Sequence, residues 1–532
     1  MKDTMSVRFI AGVLASLMLL MLASCDSALE EDPSSFVGPS NFYNNKEDAR
    51  AALDGAYAGL NRGVFTGYIG SYQFQTLLTK PTPEAYRGGR LDQWRWTPSQ
   101  AGATESVYEY AYQGINRANA VITNVPGIEN MDSQVRLRFV AEARFLRAIH
   151  YYYLAGFFGR VPIVRSEVQS LAGLDQPNAP ADSVYAFVIN DLQGAVENLP
   201  SRSQAEAPER ATKGAAQTLL AKFYLQRAAL SSDNGFPSEF QIAQSGDYQR
   251  AADLLQKVID SGEYSLPSDV QAQFTDLFID EDLGASNPEV IFNIQADPTV
   301  GESSGLPCLL VPGSNANLSS AGWNQYTSEL PFYTSFKDED LRKEVTFVTE
   351  YTRGSGEQVT YNIDNVNEDS YSLDTPTFTK YAKAVNPSTC DDDNDLTFLR
   401  FADALLMKAE ALNEINGGPM SEAYTAINRV RERAGLEPLS GLNYETFREA
   451  VYTERRRELV SEGHDWHTIQ RFFDIATRRV REHAEFDAQF GDEFGYAPAL
   501  EDLEIDDPQD RFFPIPQGAF DRNPELTQNP GY

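Results

Sequence analysis

The sequence predicts a mainly α-helical protein built from paired helices, with one long irregular insertion that contains short strands. Two observations predict this class. Apolar residues recur at helical spacing over most of the chain, and Gly, Pro and Asn-Gly positions separate these stretches. In residues 263–397, by contrast, the helical spacing gives way to short β-prone runs and to loops rich in Gly, Ser, Pro and Asn.

The composition favours a packed fold and excludes one class of partner. The chain has 532 residues, of which 42% are hydrophobic and 23% are charged, so intrinsic disorder is not expected. It carries 77 acidic residues against 44 Lys and Arg, a net charge of -33. Because a surface this acidic repels phosphates, we expect no nucleic-acid partner. Neither common phosphate-binding glycine motif is present, and we predict no cofactor.

The N-terminus has the pattern of a bacterial lipoprotein signal. Residues 1–24 contain basic residues followed by an uncharged apolar run, which is shorter than the roughly 20 residues that a membrane-spanning helix needs. The run ends in Leu22-Ala23-Ser24-Cys25, which resembles a lipobox, so we predict that Cys25 is lipidated. Residues 25–40 then form the predicted tether. The other cysteines are Cys308 and Cys390, and the sequence leaves open whether they form a disulfide.

Six helices are predicted in an N-terminal region, residues 41–262. Their ranges are 48–60, 107–123, 134–157, 183–198, 213–229 and 248–261. In the last two, small residues such as Ala215 and Ala221 alternate with large ones such as Phe223, a pattern typical of tetratricopeptide repeats. The fold class is therefore a tetratricopeptide-like helical-repeat scaffold with an irregular, partly β insertion. Strict repeat periodicity is absent, so ordinary antiparallel helices are the alternative.

The insertion, residues 263–397, contains three predicted β-prone runs at 290–294, 345–348 and 358–361. A long irregular segment inside a helical protein usually carries function or closes a binding surface. The remaining region, residues 398–532, repeats the helix-pair pattern at 401–414 and 421–433, and a last predicted helix holds residues 478–483. No element is predicted beyond about residue 484.

One motif suggests a hydrolase. Gly301-Glu302-Ser303-Ser304-Gly305 matches the nucleophile-elbow pattern, and His464, His467 and His483 lie downstream. An elbow requires a strand directly before the serine and a helix directly after it, but prolines interrupt both flanks. We therefore predict no enzyme activity and keep a surface glycoside hydrolase or esterase as a less favoured alternative.

Two further patterns suggest metal ligands. His464 and His467 stand three residues apart, but no third ligand of suitable spacing is evident, so we expect them to pack between helices. Asp391, Asp393 and Asp395 imitate the start of a calcium loop that lacks the required glycine and bidentate glutamate. We predict no metal centre, and a casual calcium site is left open.

Aromatic residues with polar neighbours form the predicted ligand site. Trp94 and Trp96 stand two residues apart, so in an extended segment both would point to one side. Flat aromatic faces stack on sugar rings, while charged and amide groups bond sugar hydroxyls. Burial of these aromatics in the core is the alternative. The predicted ligand-binding residues are Tyr72, Tyr86, Arg87, Asp92, Trp94, Trp96, Trp323, Asn324 and Tyr326.

Segments along nearly the whole chain resemble the SusD/RagB family of outer-membrane lipoproteins. They include Ala51-Ala52-Leu53-Asp54-Gly55-Ala56-Tyr57, Ile115-Asn116-Arg117-Ala118-Asn119, Glu142-Ala143-Arg144-Phe145-Leu146-Arg147-Ala148, Glu454-Arg455-Arg456-Arg457-Glu458-Leu459 with Glu462-Gly463, and Gln528-Asn529-Pro530-Gly531-Tyr532. Two positions depart from the family pattern. Asp465 stands where the family usually has Arg, and Thr468 stands where it usually has Asp.

The resemblance implies a lipid-anchored protein on the outer face of the outer membrane. It would capture oligosaccharides, without bond-making chemistry, for import through a SusC-like TonB-dependent transporter whose mouth it covers. The family's ligand loops vary between members, so the resemblance assigns no ligand residue. Peptide capture, which the family also performs, and a purely structural scaffold remain alternatives.

Overall fold

The protein is described from a computed structural model. The described residues are 42–61, 85–86, 97–100, 102–168, 175–207, 209–270, 286–297, 327–328, 330–353, 355–361, 376–378, 393–487 and 511–532, with single positions at 274, 277–278, 299, 310 and 380–381.

Six long helices are described in the N-terminal part, and each packs against the next. They are α1 (Lys46–Asn61), α2 (Gly102–Asn124), α3 (Ser133–Phe158), α4 (Ala181–Asn198), α5 (Lys213–Ala229) and α6 (Asp247–Asp260). All six predicted helices are confirmed. Side chains cap two of the starts: Asp132 accepts hydrogen bonds from the first turn of α3, and Thr212 accepts one from Ala215 in α5.

The described residues also contain short strands and two short helices. Strand β1 (Ala85–Tyr86) lies between α1 and α2. The others are β2 (Val290–Ile294), β3 (Thr327–Ser328), β4 (Phe347–Val348), β5 (Glu350–Thr352), β6 (Gln358–Thr360), β7 (Thr377–Phe378) and β8 (Leu396–Arg400), with helices α7 (Leu330–Ser335) and α8 (Arg342–Thr346). All pairings are antiparallel: one sheet has the order β1-β3-β7-β4, and β2 pairs with β8 and β5 with β6.

The C-terminal part is helical again. It contains α9 (Phe401–Asn416), α10 (Ser421–Arg433), α11 (Tyr444–Leu459), α12 (Asp465–Arg471), α13 (Phe473–Asp487) and α14 (Gln517–Arg522). The predicted pair at 401–414 and 421–433 is confirmed as α9 and α10. Helix α9 also packs against α6, so the two helical parts share one apolar core. No helix in the described ranges combines the length and apolar composition that crossing a bilayer requires.

One sequence prediction is wrong, and several elements were not predicted. Residues 345–348 are not one strand, because Val345 and Thr346 complete α8 and only Phe347 and Val348 pair, with β7. Strand β8 was not predicted and crosses the expected boundary at 397; it is buried on both faces, so it lacks the alternation of a half-buried strand. Helix α14 was missed because six residues are too few to establish a helical period.

Candidate ligand-binding site

Strands β1 and β3 join two segments that are far apart in the sequence. In their antiparallel ladder, Ala85 stands opposite Ser328 and Tyr86 opposite Thr327. The chain leaves the ladder from Tyr86 into residues 87–96, and it reaches Thr327 from residues 323–326. Because the strands are antiparallel, both of these segments connect to the same end of the ladder. They are the segments that hold most of the predicted ligand-binding residues.

Of the nine predicted site residues, only Tyr86 belongs to the described part of the chain, in β1. The others, which lie outside the described residues, are Tyr72, Arg87, Asp92, Trp94, Trp96, Trp323, Asn324 and Tyr326. Five other residues named in the sequence predictions also lie outside the described residues: Cys25, the predicted lipidation residue, and Ser303, Cys308, Cys390 and Asp391. The assignment of these side chains therefore stays a prediction.

The β1–β3 ladder continues into β7 and β4, because β3 pairs with β7 and β7 pairs with β4. The backbone N–H of Ser328 donates to the carbonyl of Pro376 at 2.8 Å, and Thr327 stands opposite Thr377. The ring of Phe347 in β4 lies 5.1–6.0 Å from four other rings, in edge-on and tilted arrangements that favour aromatic packing. Those rings belong to Phe332, Tyr333, Phe336 and Phe378.

Buried ion pairs attach the same sheet to α11. Lys380, which follows β7, donates from Nζ to Oε1 of Glu462 at 2.7 Å and to the carbonyl of Glu458 at 2.8 Å. Burial lowers the pKa of Lys380, although Glu462 opposes that shift. Arg342 of α8 contacts Asp340 at 2.8 Å and Glu454 at 2.7 Å. Both basic side chains are fully buried, so the position of the sheet depends on defined charge contacts.

A larger group of charges surrounds Arg400; we call Arg400, Glu289, Glu458, Glu462 and Arg433 the Arg400 cluster. Arg400 lies within 2.7 Å of carboxylate oxygens of Glu289, Glu458 and Glu462. Burial opposes the charge on Arg400, but these carboxylates raise its pKa well above the ordinary value. Burial likewise opposes ionisation of Glu458, yet Arg433 and Arg400 hold its pKa well below the ordinary value. The family-like run 454–462 therefore provides the charged centre of the C-terminal part.

The two departures from the family pattern have local partners. The carboxylate of Asp465 pairs with Arg456, and both side chains are buried. The hydroxyl of Thr468 donates to the carbonyl of His464 at 2.9 Å and lies 3.5 Å from a guanidinium nitrogen of Arg455. The negative charge of Asp465 is thus balanced by the positive charge of Arg456.

The two closely spaced histidines pack between helices, as expected. The ring of His467 stacks on Tyr152 of α3 with 3.9 Å between centroids, and its Nε2 lies 3.2 Å from the Tyr152 carbonyl. His464 lies beside Lys222, with 3.4 Å between Nδ1 and Nζ. Burial lowers the pKa of His467 to about 3, so it is neutral at pH 7. In the described ranges no three His, Cys, Asp or Glu side chains are grouped to hold a metal ion.

The fold and the ladder define a class of protein: a helical-repeat scaffold with a partly β insertion. A model described as "SusD family" matches residues 288–532, and a second, described as "Starch-binding associating with outer membrane", matches residues 71–225. The chain therefore belongs to the SusD family. Together the two models cover most of the chain.

One relative agrees with this membership, and two solved structures share the fold. "SusD-like protein P2" of Formosa agariphila is 29% identical and aligns over 97% of this chain and 98% of its own length. The crystal structure of a SusD homolog from Bacteroides thetaiotaomicron superposes with a TM-score of 0.77 at 23% identity, covering 92% of this chain and 98% of that one. A laminarin-binding SusD-like protein superposes with a TM-score of 0.69 at 22% identity over 92% and 100%.

Proposed function

We propose that this protein captures oligosaccharides, using the two segments, residues 87–96 and 323–326, that connect to one end of the β1–β3 ladder. One observation carries the proposal: Tyr86 pairs with Thr327, so the segments that contain Trp94, Trp96 and Trp323 start from one end of one ladder. Aromatic side chains are suited to stacking on sugar rings. Starch binding in the description of one matching model and laminarin binding in the name of one structural relative support a glycan as the ligand.

The cellular role that we propose is nutrient capture for import. Lipid on Cys25 would hold the protein on the outer face of the outer membrane, and a SusC-like TonB-dependent transporter would receive the glycan. The protein would carry out no bond-making chemistry. This is supported by His464 and His467, two of the three histidines in the hydrolase-like pattern, because both are buried and engaged with neighbouring groups. Hydrolysis of chromogenic esters or glycosides that is lost in Ser303→Ala would contradict this point.

The ligand site can be tested on a glycan panel. We expect the purified protein to bind at least one oligosaccharide, and Trp94→Ala, Trp96→Ala and Trp323→Ala each to weaken that binding about tenfold, because each removes an aromatic face on which a sugar ring can stack and tenfold corresponds to only about 1.4 kcal/mol. Leu341→Ala, at a residue with 54% exposure on α8's N-terminal side, is the matched control and should bind normally. Normal binding by all three Trp variants would contradict the site.

The import role has its own test. A tagged chain isolated from its native outer membrane should co-purify with a TonB-dependent transporter, and Cys25→Ala should leave the membrane fraction. A chain that binds peptides but no glycan would support the alternative of peptide capture. A chain that binds proteins but no small ligand would support a structural scaffold.

A further inference from the structure

Three arginines lie near one another where α3 packs against α4; we call Arg144, Arg147 and Arg165 the arginine patch. Arg147 donates from Nε and Nη2 to the two carboxylate oxygens of Asp191 in α4, in each case at 2.8 Å. The Nε of Arg144 lies 3.9 Å from the same carboxylate. The guanidinium of Arg165 lies 4.9 Å from the ring centroid of Phe187, and the guanidinium of Arg147 lies 4.7 Å from it.

The patch follows one face of α4. Phe187, Asp191 and Gly194 are spaced by four and three residues, so they lie on the same side of the helix. Arg144 reaches the last of them, because a Cβ added to Gly194 would lie 2.5 Å from its Nη1. From Phe187 to Gly194 this row extends about 10 Å along the helix axis. The glycine thus leaves space for the Arg144 side chain on the surface of α4.

The positive charge of the patch is not balanced. Both oxygens of Asp191 already accept hydrogen bonds from Arg147. Arg165 is exposed and forms no salt bridge within the described part of the chain, and Arg144, whose side chain is 36% exposed, has only the 3.9 Å contact there. Three cations therefore share one carboxylate, in a chain whose net charge is -33. A local positive surface of this kind attracts acidic groups.

The described part of the chain begins close to the patch. The side chain of Tyr43 is hydrogen-bonded to that of Asn124, and burial and then the negative charge of Glu167 raise the pKa of Tyr43. Glu167 also accepts from Nδ2 of Asn124 at 2.9 Å. Only one residue separates Glu167 from Arg165, so their Cα atoms are at most about 8 Å apart. The segment that precedes Tyr43 therefore joins the fold near Arg165.

The predicted tether contains an acidic segment, residues 26–32, which lies outside the described residues. Its sequence, Asp26-Ser27-Ala28-Leu29-Glu30-Glu31-Asp32, includes four acidic residues and no basic one, whereas residues 33–45 carry no charge. The chain between Asp32 and Tyr43 can span up to roughly 35 Å when extended. The acidic segment is therefore within reach of the arginine patch.

We propose that the acidic segment, residues 26–32, docks on the arginine patch, with its carboxylates against Arg144 and Arg165. Exposed ion pairs are individually weak, but a tethered segment has an effective concentration of about millimolar, which a separate acidic peptide lacks. Docking would hold Cys25 within about 25 Å of the patch, because only six residues separate it from Asp32. The predicted lipid would then attach beside the α3–α4 face. This inference does not depend on the proposed glycan site.

Cleavage of the tether by a glutamyl endopeptidase tests the docking in the full-length chain. The enzyme cuts after Glu30 and Glu31, and a synthetic peptide of residues 26–36 gives its rate on an undocked substrate. At about 20 mM NaCl we expect the tether to be cut at least about threefold more slowly than the peptide, because docked segment is withheld from the enzyme. At about 0.5 M NaCl, where the screening length falls to about 4 Å, the two rates should agree.

The double variant Arg144→Gln with Arg165→Gln should be cut as fast as the peptide at about 20 mM NaCl. Arg353→Gln with Arg478→Gln is the matched control, because it removes the same charge from exposed arginines that pair with glutamates elsewhere, and its tether should stay protected. Circular dichroism checks that both variants are folded. Protection that persists without Arg144 and Arg165, or a wild-type tether cut as fast as the peptide at low salt, would overturn the inference.

A small anion is the alternative occupant of the patch. Citrate that binds the wild-type protein but not the Arg144 and Arg165 variant, together with an unprotected tether, would assign the patch to a free carboxylate ligand and overturn docking of the tether. Because Trp94, Trp96 and Trp323 are unchanged in these variants, failure here is distinct from failure of the glycan site.

Discussion

At the scale of single residues, fully buried charges hold separate parts of the chain together. Arg400 ends β8, Glu289 precedes β2, and Glu458 and Glu462 lie at and just after the end of α11. Their contacts of 2.6–2.7 Å join the β2–β8 pair to the C-terminal helices. Such clusters contribute little net stability relative to apolar packing, but removal of one partner leaves the opposite charges buried and unpaired.

Arg400→Met is therefore expected to lower the free energy of unfolding by about 3–5 kcal/mol, because three buried carboxylates lose their common cation. Urea denaturation followed by circular dichroism measures the change. Arg353→Met removes an Arg–Glu357 pair of 2.9 Å at the surface and should leave stability unchanged. Equal stability of the two variants would contradict the importance of the cluster.

Buried histidines predict a loss of stability in acid. Burial lowers the pKa of His150 and of His467 to about 3, whereas an unfolded histidine titrates near 6.5. Below pH 6.5 the unfolded state thus binds protons that the folded state does not, and stability falls with pH until about pH 3. Asp395 acts in the opposite sense below pH 6, because burial raises its pKa to about 6 and the folded state then holds its proton.

Between pH 6.5 and pH 5 we expect a loss of about 2 kcal/mol for each of these histidines, partly offset by Asp395. Urea titrations at several pH values measure how the free energy of unfolding changes with pH. His467→Gln should abolish the contribution of one histidine to that change. A free energy of unfolding that is flat over this range would contradict the burial of the imidazoles.

At the scale of elements, α3 and α12 meet at a glycine. Trp466 and Gln470 of α12 donate to the carbonyl of Gly156 at 3.0 and 2.8 Å, and the ring of His467 covers its Cα. A Cβ at this position would lie 2.1 Å from Nε2 of His467. Stacking on Tyr152 prevents the imidazole from moving aside.

Gly156→Ala should therefore destabilise the protein by about 1–3 kcal/mol, the usual range for an overpacked core, although alanine is the better helix former. Gly55→Ala in α1 is the matched control: nothing lies within 4 Å of its added Cβ, so a gain of about 0.5–1 kcal/mol is expected. Thermal denaturation compares the two. Stabilisation by Gly156→Ala would show that the helices do not meet this closely.

The ladder gives a second prediction at this scale. Ser328→Pro removes the N–H that donates to Pro376, so β3 should separate from β7 and oligosaccharide affinity should fall at least tenfold. Helix content by circular dichroism should stay the same, because the helical core is elsewhere. Thr352→Pro in the separate β5–β6 pair is the control and should bind normally. Unchanged affinity in Ser328→Pro would mean that the ladder does not position the site.

At the scale of the whole molecule, the sequence predicted what local periodicity encodes. The six N-terminal helices and the pair α9–α10 were found because their apolar faces repeat every three to four residues. The buried charge contacts of the Arg400 cluster were not predicted, since Arg400 meets carboxylates that lie 58 to 111 positions away in the sequence, and such contacts leave no local signal.

The predicted ligand site could be derived from the sequence only in part. Composition indicated two aromatic segments, but only the pairing of Tyr86 with Thr327 joins them at one ladder end. The central claim is that one glycan contacts both segments at once.

Hydrogen–deuterium exchange, measured by mass spectrometry with and without a saturating oligosaccharide from the panel, tests this claim most directly. The account predicts that ligand slows exchange together in peptides that contain residues 87–96 and 323–326, while peptides from α5 and α6 exchange as before. Slowed exchange in only one of the two segments, or in neither, would contradict a shared site.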